Sequence, residues 1–160
     1  MAITIQPADY AEPLQAAAIV DLLDQYARDP MGGGKPLPER TRRNLVAELD
    51  ARPNAFTLLA FDGPVPAGLL ISFEGFSTFA CKPLLNLHDI AVHPDHRGKG
   101  IARRLMDAAE AEARRRGCCK LTLEVLSGNT RARSVYEAAG YRAYELDPEK
   151  GHALFLEKAL

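Results

Sequence analysis

At 160 residues the chain fits one domain, long enough to bury a genuine core. It is 47% hydrophobic and 26% charged with a net charge of −1, a globular composition without the basic field of a nucleic-acid or acidic-membrane binder. Met1–Pro7 lacks the charged-then-apolar order of a signal peptide, and no apolar run is long enough to span a bilayer. Of the three cysteines two are neighbours, Cys118 and Cys119. That is a poor disulfide framework, so a reducing cytoplasm is expected, with all three thiols as small buried apolar fillers.

In chain order, Ile3–Gln6 alternates as a first strand, and Glu12–Arg28 places Leu14, Ala17, Ala18, Leu22, Leu23 and Tyr26 at helical spacing. Asp29-Pro30-Met31-Gly32-Gly33-Gly34 stops that helix. A second helix starts near Pro38 with Leu45, Val46 and Leu49 on one face, and Pro53 closes it. Strands are predicted at Ala55–Phe61 and Ala67–Glu74, then, after a loop at Gly75–Leu84, at Leu85–Val92. Ile101, Leu105, Ala109 and Ala113 mark the clearest helix, Ile101–Arg116, with Gly117 as its stop. A strand at Leu121–Leu126, a helix at Asn129–Ala139 and a closing strand pair, Tyr141–Leu146 and Ala153–Leu160, complete the order βααβββαβαββ. This predicts an α/β (α+β) fold: a single domain over residues 1–160, with a mixed, mostly antiparallel sheet flanked by helices.

Between the strand ending at Val92 and the helix starting at Ile101 lies His93-Pro94-Asp95-His96-Arg97-Gly98-Lys99-Gly100. The first N–H groups of a helix have no intrahelical partner and carry partial positive charge, and glycines let a phosphate approach the backbone closely. Arg97, Lys99, Arg103 and Arg104 crowd a helix start where acidic residues are normally preferred, as a polyanionic ligand would require. The spacing is not the dinucleotide fingerprint G-x-G-x-x-G. Gly32-Gly33-Gly34-Lys35 only superficially looks like a P-loop: it has Pro36 where Ser or Thr should bind magnesium, and it follows no strand. His88, Asp89, His93 and His96 show no ligand spacing on a helix and no cysteine partner, so no metal is expected.

The run Val92-x4-Arg97-Gly98-x-Gly100-Ile101-Ala102 resembles the acetyl-CoA signature R/Q-x-x-G-x-G/A of the Gcn5-related N-acetyltransferases. The resemblance continues through Leu121-Thr-Leu-Glu124-Val and Asn129-x-x-Ala132-x-x-x-Tyr136-x-x-x-Gly140-Tyr141 and covers nearly the whole chain. It implies acetyl transfer from acetyl-CoA, as co-substrate, to a primary amine of a small molecule or protein by direct attack. In that family the strands matching Leu87–Val92 and Leu121–Leu126 splay apart to admit the pantetheine arm. The resemblance thus implies that Ile90, Ala91 and Val92 flank the arm, that Ile90 and Val92 bond it, and that the backbone from Arg97 through Gly98, Lys99, Gly100 and Ile101 to Ala102 holds the pyrophosphate. Asn129 is then near the arm and Tyr136 near the sulfur.

By the same resemblance Tyr136 protonates the leaving thiolate, which suits a phenol of pKa about 10. On periodicity alone Tyr136 reads as a core residue, sharing a face with Ala132, Val135 and Ala139; the Asn129–Tyr136 spacing shared with the family favours the site. The reaction also needs a base. Glu124 is the first candidate, because it points off the apolar face of its strand and its context resembles protein N-terminal acetyltransferases. Glu74, His88 and Asp89 are rivals. The strand glutamate of histone-type members falls near Asn86, which cannot be a base. The acceptor should be chosen by Arg28–Arg52, whose Gly-rich start suits a lid, and by the loop Gly75–Leu84, where Phe73, Phe76 and Phe79 offer an apolar wall or core and dimer contacts. No nucleic acid or membrane partner is expected, and a homodimer is compatible with the sequence. The alternative is a non-catalytic acyl-CoA-binding or sensing module on the same fold.

Overall fold

The structure, a computed structural model, describes residues 2–160. Its contacts divide the chain into two units, one ending at Leu123 and the other spanning Glu124–Leu160. The first contains β1 (Ile3–Pro7), α1 (Pro13–Arg28), α2 (Glu39–Asp50), β2 (Ala55–Asp62), β3 (Val65–Ser77), β4 (Lys82–Val92), α3 (Ile101–Arg115) and β5 (Leu121–Leu123). The strands form one sheet in the order β1-β2-β3-β4-β5; the first four are antiparallel, and β5 runs parallel to β4. The expected mixed, mostly antiparallel sheet flanked by helices is therefore present.

The start of α1 has a local cause. Glu12 caps α1, its carboxylate accepting the N–H groups of Leu14 at 3.1 Å and Gln15 at 2.8 Å, with Pro13 pre-set in the first turn. On its buried side Ala18, Ile19 and Leu22 join Leu59, Leu69, Ile71 and Leu49 of α2 in one apolar cluster. α3 buries Ile101, Leu105, Met106, Ala109 and Ala113, the predicted stripe with Met106 added. Each large aliphatic side chain removed from water in this way contributes about 1.5–3 kcal/mol.

The two helix layers lie on opposite faces of the sheet. A Cβ placed on Gly68 of β3 would stand 2.9 Å from Ile101 Cγ2 and 3.2 Å from Leu105 Cδ1, so Gly68 and its alternate neighbour Leu70 face α3. Leu69 and Ile71 face the cluster of α1 and α2.

The segment predicted as a loop at Gly75–Leu84 is mostly strand. The ladder continues through Gly75↔Leu84, Phe76↔Pro83 and Ser77↔Lys82 and leaves a short tip, residues 78–81. Phe73 packs on the α1-side cluster, while Phe76 and Phe79 are exposed. The cysteine expectation also needs correction. Cys81 and Cys119 are exposed and Cys118 is half-buried, because all three lie at the hairpin tip or in the turn between α3 and β5, outside both apolar layers.

In the second unit Asn129 caps α4 (Thr130–Ala138), its side-chain oxygen accepting the N–H of Ala132 at 3.2 Å. The predicted closing strand pair, Tyr141–Leu146 and Ala153–Leu160, forms no ladder; one bridge, Glu145↔His152, stands in its place. A 3-10 turn at Pro148–Lys150 and Gly151 at φ +76° separate the two segments. A two-stranded ribbon is marginal without a packed face, and Leu146, Leu154, Phe155 and Leu156 are all exposed. Among the described residues no helix is long and apolar enough to cross a membrane.

Candidate active site

β4 changes direction where β5 stops. At its start Leu85 donates its N–H to Lys120 and the Pro83 carbonyl accepts from Cys119, so odd-numbered backbone groups face β5. At its end the His93 N–H bonds Ala67, so odd-numbered groups there face β3. The switch is a one-residue bulge at His88, where Leu87 pairs with Ser72 and Asp89 with Ile71. The last β5 pair is Leu87↔Leu123. Beyond it, Ile90 and Val92 turn their backbone groups to the side β5 has left. Ala91 turns its carbonyl toward Gly68 of β3.

This free edge runs into the glycine-rich turn. Pro94–His96 forms a 3-10 turn, capped by His93 Nδ1 accepting the Asp95 N–H at 3.2 Å. Gly98 and Gly100 then adopt φ +79° and +74°, the left-handed region that glycine enters without strain. A Cβ at either would meet no heavy atom within 4 Å, so both backbones border open space. No side chain caps α3, and its first turn holds no acidic residue. The orphan N–H groups from Ile101 onward thus form a positive cradle that fits a pyrophosphate.

Arg97 and Lys99 are anchored by carboxylates from distant parts of the first unit. Arg97 reaches Asp29 at 3.3 Å, and its Nε donates to the Val92 carbonyl at 3.4 Å. Lys99 lies 3.6 Å from Asp62, which also sits 3.4 Å from His96 Nε2. Arg103 pairs with Asp107 at 2.8 Å along its own helix.

The opposite face of β4 holds a different chemistry. Opposite Ile71, Asp89 faces the α1 side. Burial pushes its carboxyl above the usual aspartate range, partly offset by the neighbouring His88. Tyr26, near the end of α1, has its phenol raised by burial and by the negative charges of Asp89 and Asp29, which brings these three groups together. The His88 ring meets Phe73 edge-on at 5.4 Å. Glu74 is drawn away to the α3 side, paired with Arg116 at 2.9 Å. Asn86 donates to the Thr122 hydroxyl at 3.0 Å.

Sequence reasoning missed two features here. The bulge has no compositional signal. Asp29 was visible only as a helix stop, although its distance from Arg97 in sequence gave no warning of the pair. In the second unit, Glu124 is exposed, and the Tyr136 ring lies 6.3 Å from that of Tyr141, tilted by 59°.

The sequence profile of the acetyltransferase (GNAT) family matches residues 18–141. Streptothricin acetyltransferase of Streptomyces lavendulae is 36% identical over 115 residues, 67% of this chain, and the match spans only 58% of that protein. The uncharacterized N-acetyltransferase YhfO of Bacillus subtilis is 33% identical over 82% of this chain and 86% of its own length. Among solved structures, ribosomal-protein-alanine N-acetyltransferase from Brucella melitensis superposes with a TM-score of 0.74 at 26% identity, covering 91% of this chain and 96% of that one. With its strand, glycine-rich turn and uncapped helix in the matched region, the chain belongs to the acetyltransferase (GNAT) family.

Proposed function

We propose that residues 1–160 form one N-acetyltransferase domain that uses acetyl-CoA and passes the acetyl group directly to a primary amine of a small molecule or protein. One observation carries this reading: the free edge of β4, with Ile90 and Val92 facing outward, leads straight into an uncapped, glycine-bordered helix start. Acetyl-CoA would supply an activated acetyl thioester. Ile90 and Val92 would bond its arm with Ala91 between them, and the backbone of Arg97, Gly98, Lys99, Gly100, Ile101 and Ala102 would hold its pyrophosphate. Asn129 and Tyr136 complete the cofactor set by family resemblance.

A lysine-like ammonium must lose a proton before it attacks, which costs roughly 4–5 kcal/mol at neutral pH. Two carboxylates are proposed for this step. Glu124 follows from the family context. Asp89 is supported by its place on the α1 face beside the bulge and by burial that raises its proton affinity. Tyr136 is proposed to return a proton to the departing sulfur. Cytoplasmic action fits the free thiols of Cys81, Cys118 and Cys119.

The names of two similar proteins point to streptothricin and to a ribosomal-protein alanine, so small-molecule and protein amines both belong in the test. The chain should release free thiol from acetyl-CoA with at least one member of an amine panel, with the acetylated product confirmed by mass. Binding without turnover across small amines, amino-acid derivatives and peptides would instead support the non-catalytic sensing module.

A further inference from the structure

Asp29 sits where two parts of the first unit meet. It follows α1, and its side chain accepts the Met31 N–H at 2.9 Å while its carbonyl accepts the N–H groups of Gly32 at 2.8 Å and Gly34 at 3.0 Å. One residue therefore organises the first part of the turn after α1, residues 29–34. The turn is also packed down: a Cβ on Gly32 would stand 2.0 Å from the Tyr26 carbonyl oxygen, and the Lys35 N–H bonds Ala27. The Gly-rich start of the segment Arg28–Arg52 is thus a fitted turn, folded onto the end of α1 beside Tyr26.

The same carboxylate reaches out of the turn to Arg97, the first residue of the anion cradle, 68 positions along the chain. The Met31 N–H and, secondarily, Arg97 hold its carboxyl below the usual aspartate range. A pyrophosphate in the cradle would bring two further anionic groups to the guanidinium. Asp29 and the ligand then compete for one cation, and the loser on the protein side is the residue that organises the turn.

We propose that Asp29 is a positioning residue that couples donor binding to the acceptor side: the pyrophosphate draws Arg97 from Asp29 and loosens the turn Pro30–Gly34. This rests on the donor reading given above. The pair is partly exposed, with 36% and 28% of the two side chains accessible, so the competition should be modest. An ion pair of this kind changes an equilibrium by up to about fivefold.

Free coenzyme A and the full chain serve for the test. Asp29→Asn keeps an acceptor for the Met31 N–H but removes the charge, so coenzyme A should bind about two- to fivefold more tightly. Asp29→Glu restores the charge and should bring affinity back toward the parent value. In the parent chain, saturating coenzyme A should at least double the hydrogen-exchange rates of the Met31, Gly32 and Gly34 amides, and Asp29→Asn should blunt that response. Unchanged or weaker binding in Asp29→Asn, or exchange indifferent to coenzyme A in the parent chain, overturns the coupling while leaving the donor site standing. A parent chain that binds no coenzyme A overturns both.

Discussion

The carboxylate of Asp24 in α1 accepts the backbone N–H of Leu37 at 2.8 Å and is held by Arg28 at 2.9 Å and by Arg42 of α2 at 3.0 Å. With Asp24 only 7% exposed, this one group fixes where the second helix leaves the first. Asp24→Asn retains the size but loses both ion pairs and should cost about 1–3 kcal/mol. Chemical denaturation measures it. The Arg28 hydrogen bond leads in holding the Asp24 carboxyl below its ordinary value of 3.8. A carboxylate whose folded pKa is depressed stabilises above its unfolded pKa and loses that contribution as pH falls through the folded value. The parent chain should therefore lose more stability than Asp24→Asn between about pH 5 and pH 2. Parallel curves for the two proteins would contradict this account.

The three consecutive glycines after Asp29 are not equivalent. Gly32 meets the Tyr26 carbonyl, whereas Gly33 at φ +111° borders open space. Gly32→Ala should cost about 1–3 kcal/mol by overpacking, and Gly33→Ala about 1–2 kcal/mol through backbone strain alone. The substitutions differ in kind: only Gly32→Ala must move the turn, so only it should shift the amide resonances of Tyr26 and Ala27.

Gly100→Glu tests the cradle. Open space around Gly100 means the added side chain fits the fold, at a strain cost of about 1–2 kcal/mol. It also places bulk and negative charge at the proposed pyrophosphate site. Calorimetry should detect no acetyl-CoA binding by a variant that still unfolds cooperatively; full affinity would remove the site assignment.

Asp89 and Glu124 are separable as bases by pH. The base must be deprotonated to act, so kcat/KM should rise with pH through its pKa. If Asp89 fills the role, that lower limb lies above the ordinary aspartate range because burial raises its carboxyl. Asp89→Asn should then lower kcat/KM by about 100-fold and abolish the limb, while Glu124→Gln leaves both nearly unchanged. The reverse pattern assigns the step to Glu124.

How much of this was readable in the sequence differs from element to element. The α3 stripe was legible because Ile101, Leu105, Ala109 and Ala113 all bury on one face, so periodicity and packing agree. The turn between β4 and α3 was legible because glycines interrupt a strand-to-helix junction. The extension of β3 and β4 past Glu74 was hidden by Gly75 and Pro83, which normally end strands. Pro83 is tolerated because its ring nitrogen faces the β5 side, before β5 begins at Leu121. The closing hairpin was over-read: Tyr141–Leu146 has strand-like residues, but strand propensity needs a packed face to act on. The bulge at His88 was illegible, since a one-residue register shift changes pairing without changing composition. Yet it turns the backbone of Ile90 and Val92 away from β3, so the sequence conceals the change of direction in β4.

Tyr136 separates catalysis from packing most sharply. Its backbone carbonyl accepts the N–H groups of Ala139 and Tyr141 at the end of α4, and its ring lies 6.3 Å from that of Tyr141. Tyr136→Phe keeps the ring and should leave acetyl-CoA affinity almost unchanged. If the hydroxyl protonates the departing sulfur, turnover should fall by about 100-fold, within the range for loss of a general acid. The deficit should be smaller for a thioester whose thiol is more acidic, because such a leaving group needs less help. Steady-state rates with acetyl-CoA and with an activated thioester, on parent and variant, provide the comparison. Undiminished turnover would return Tyr136 to the ordinary role of a packing tyrosine, and a deficit equal for both thioesters would place its action before thiolate departure.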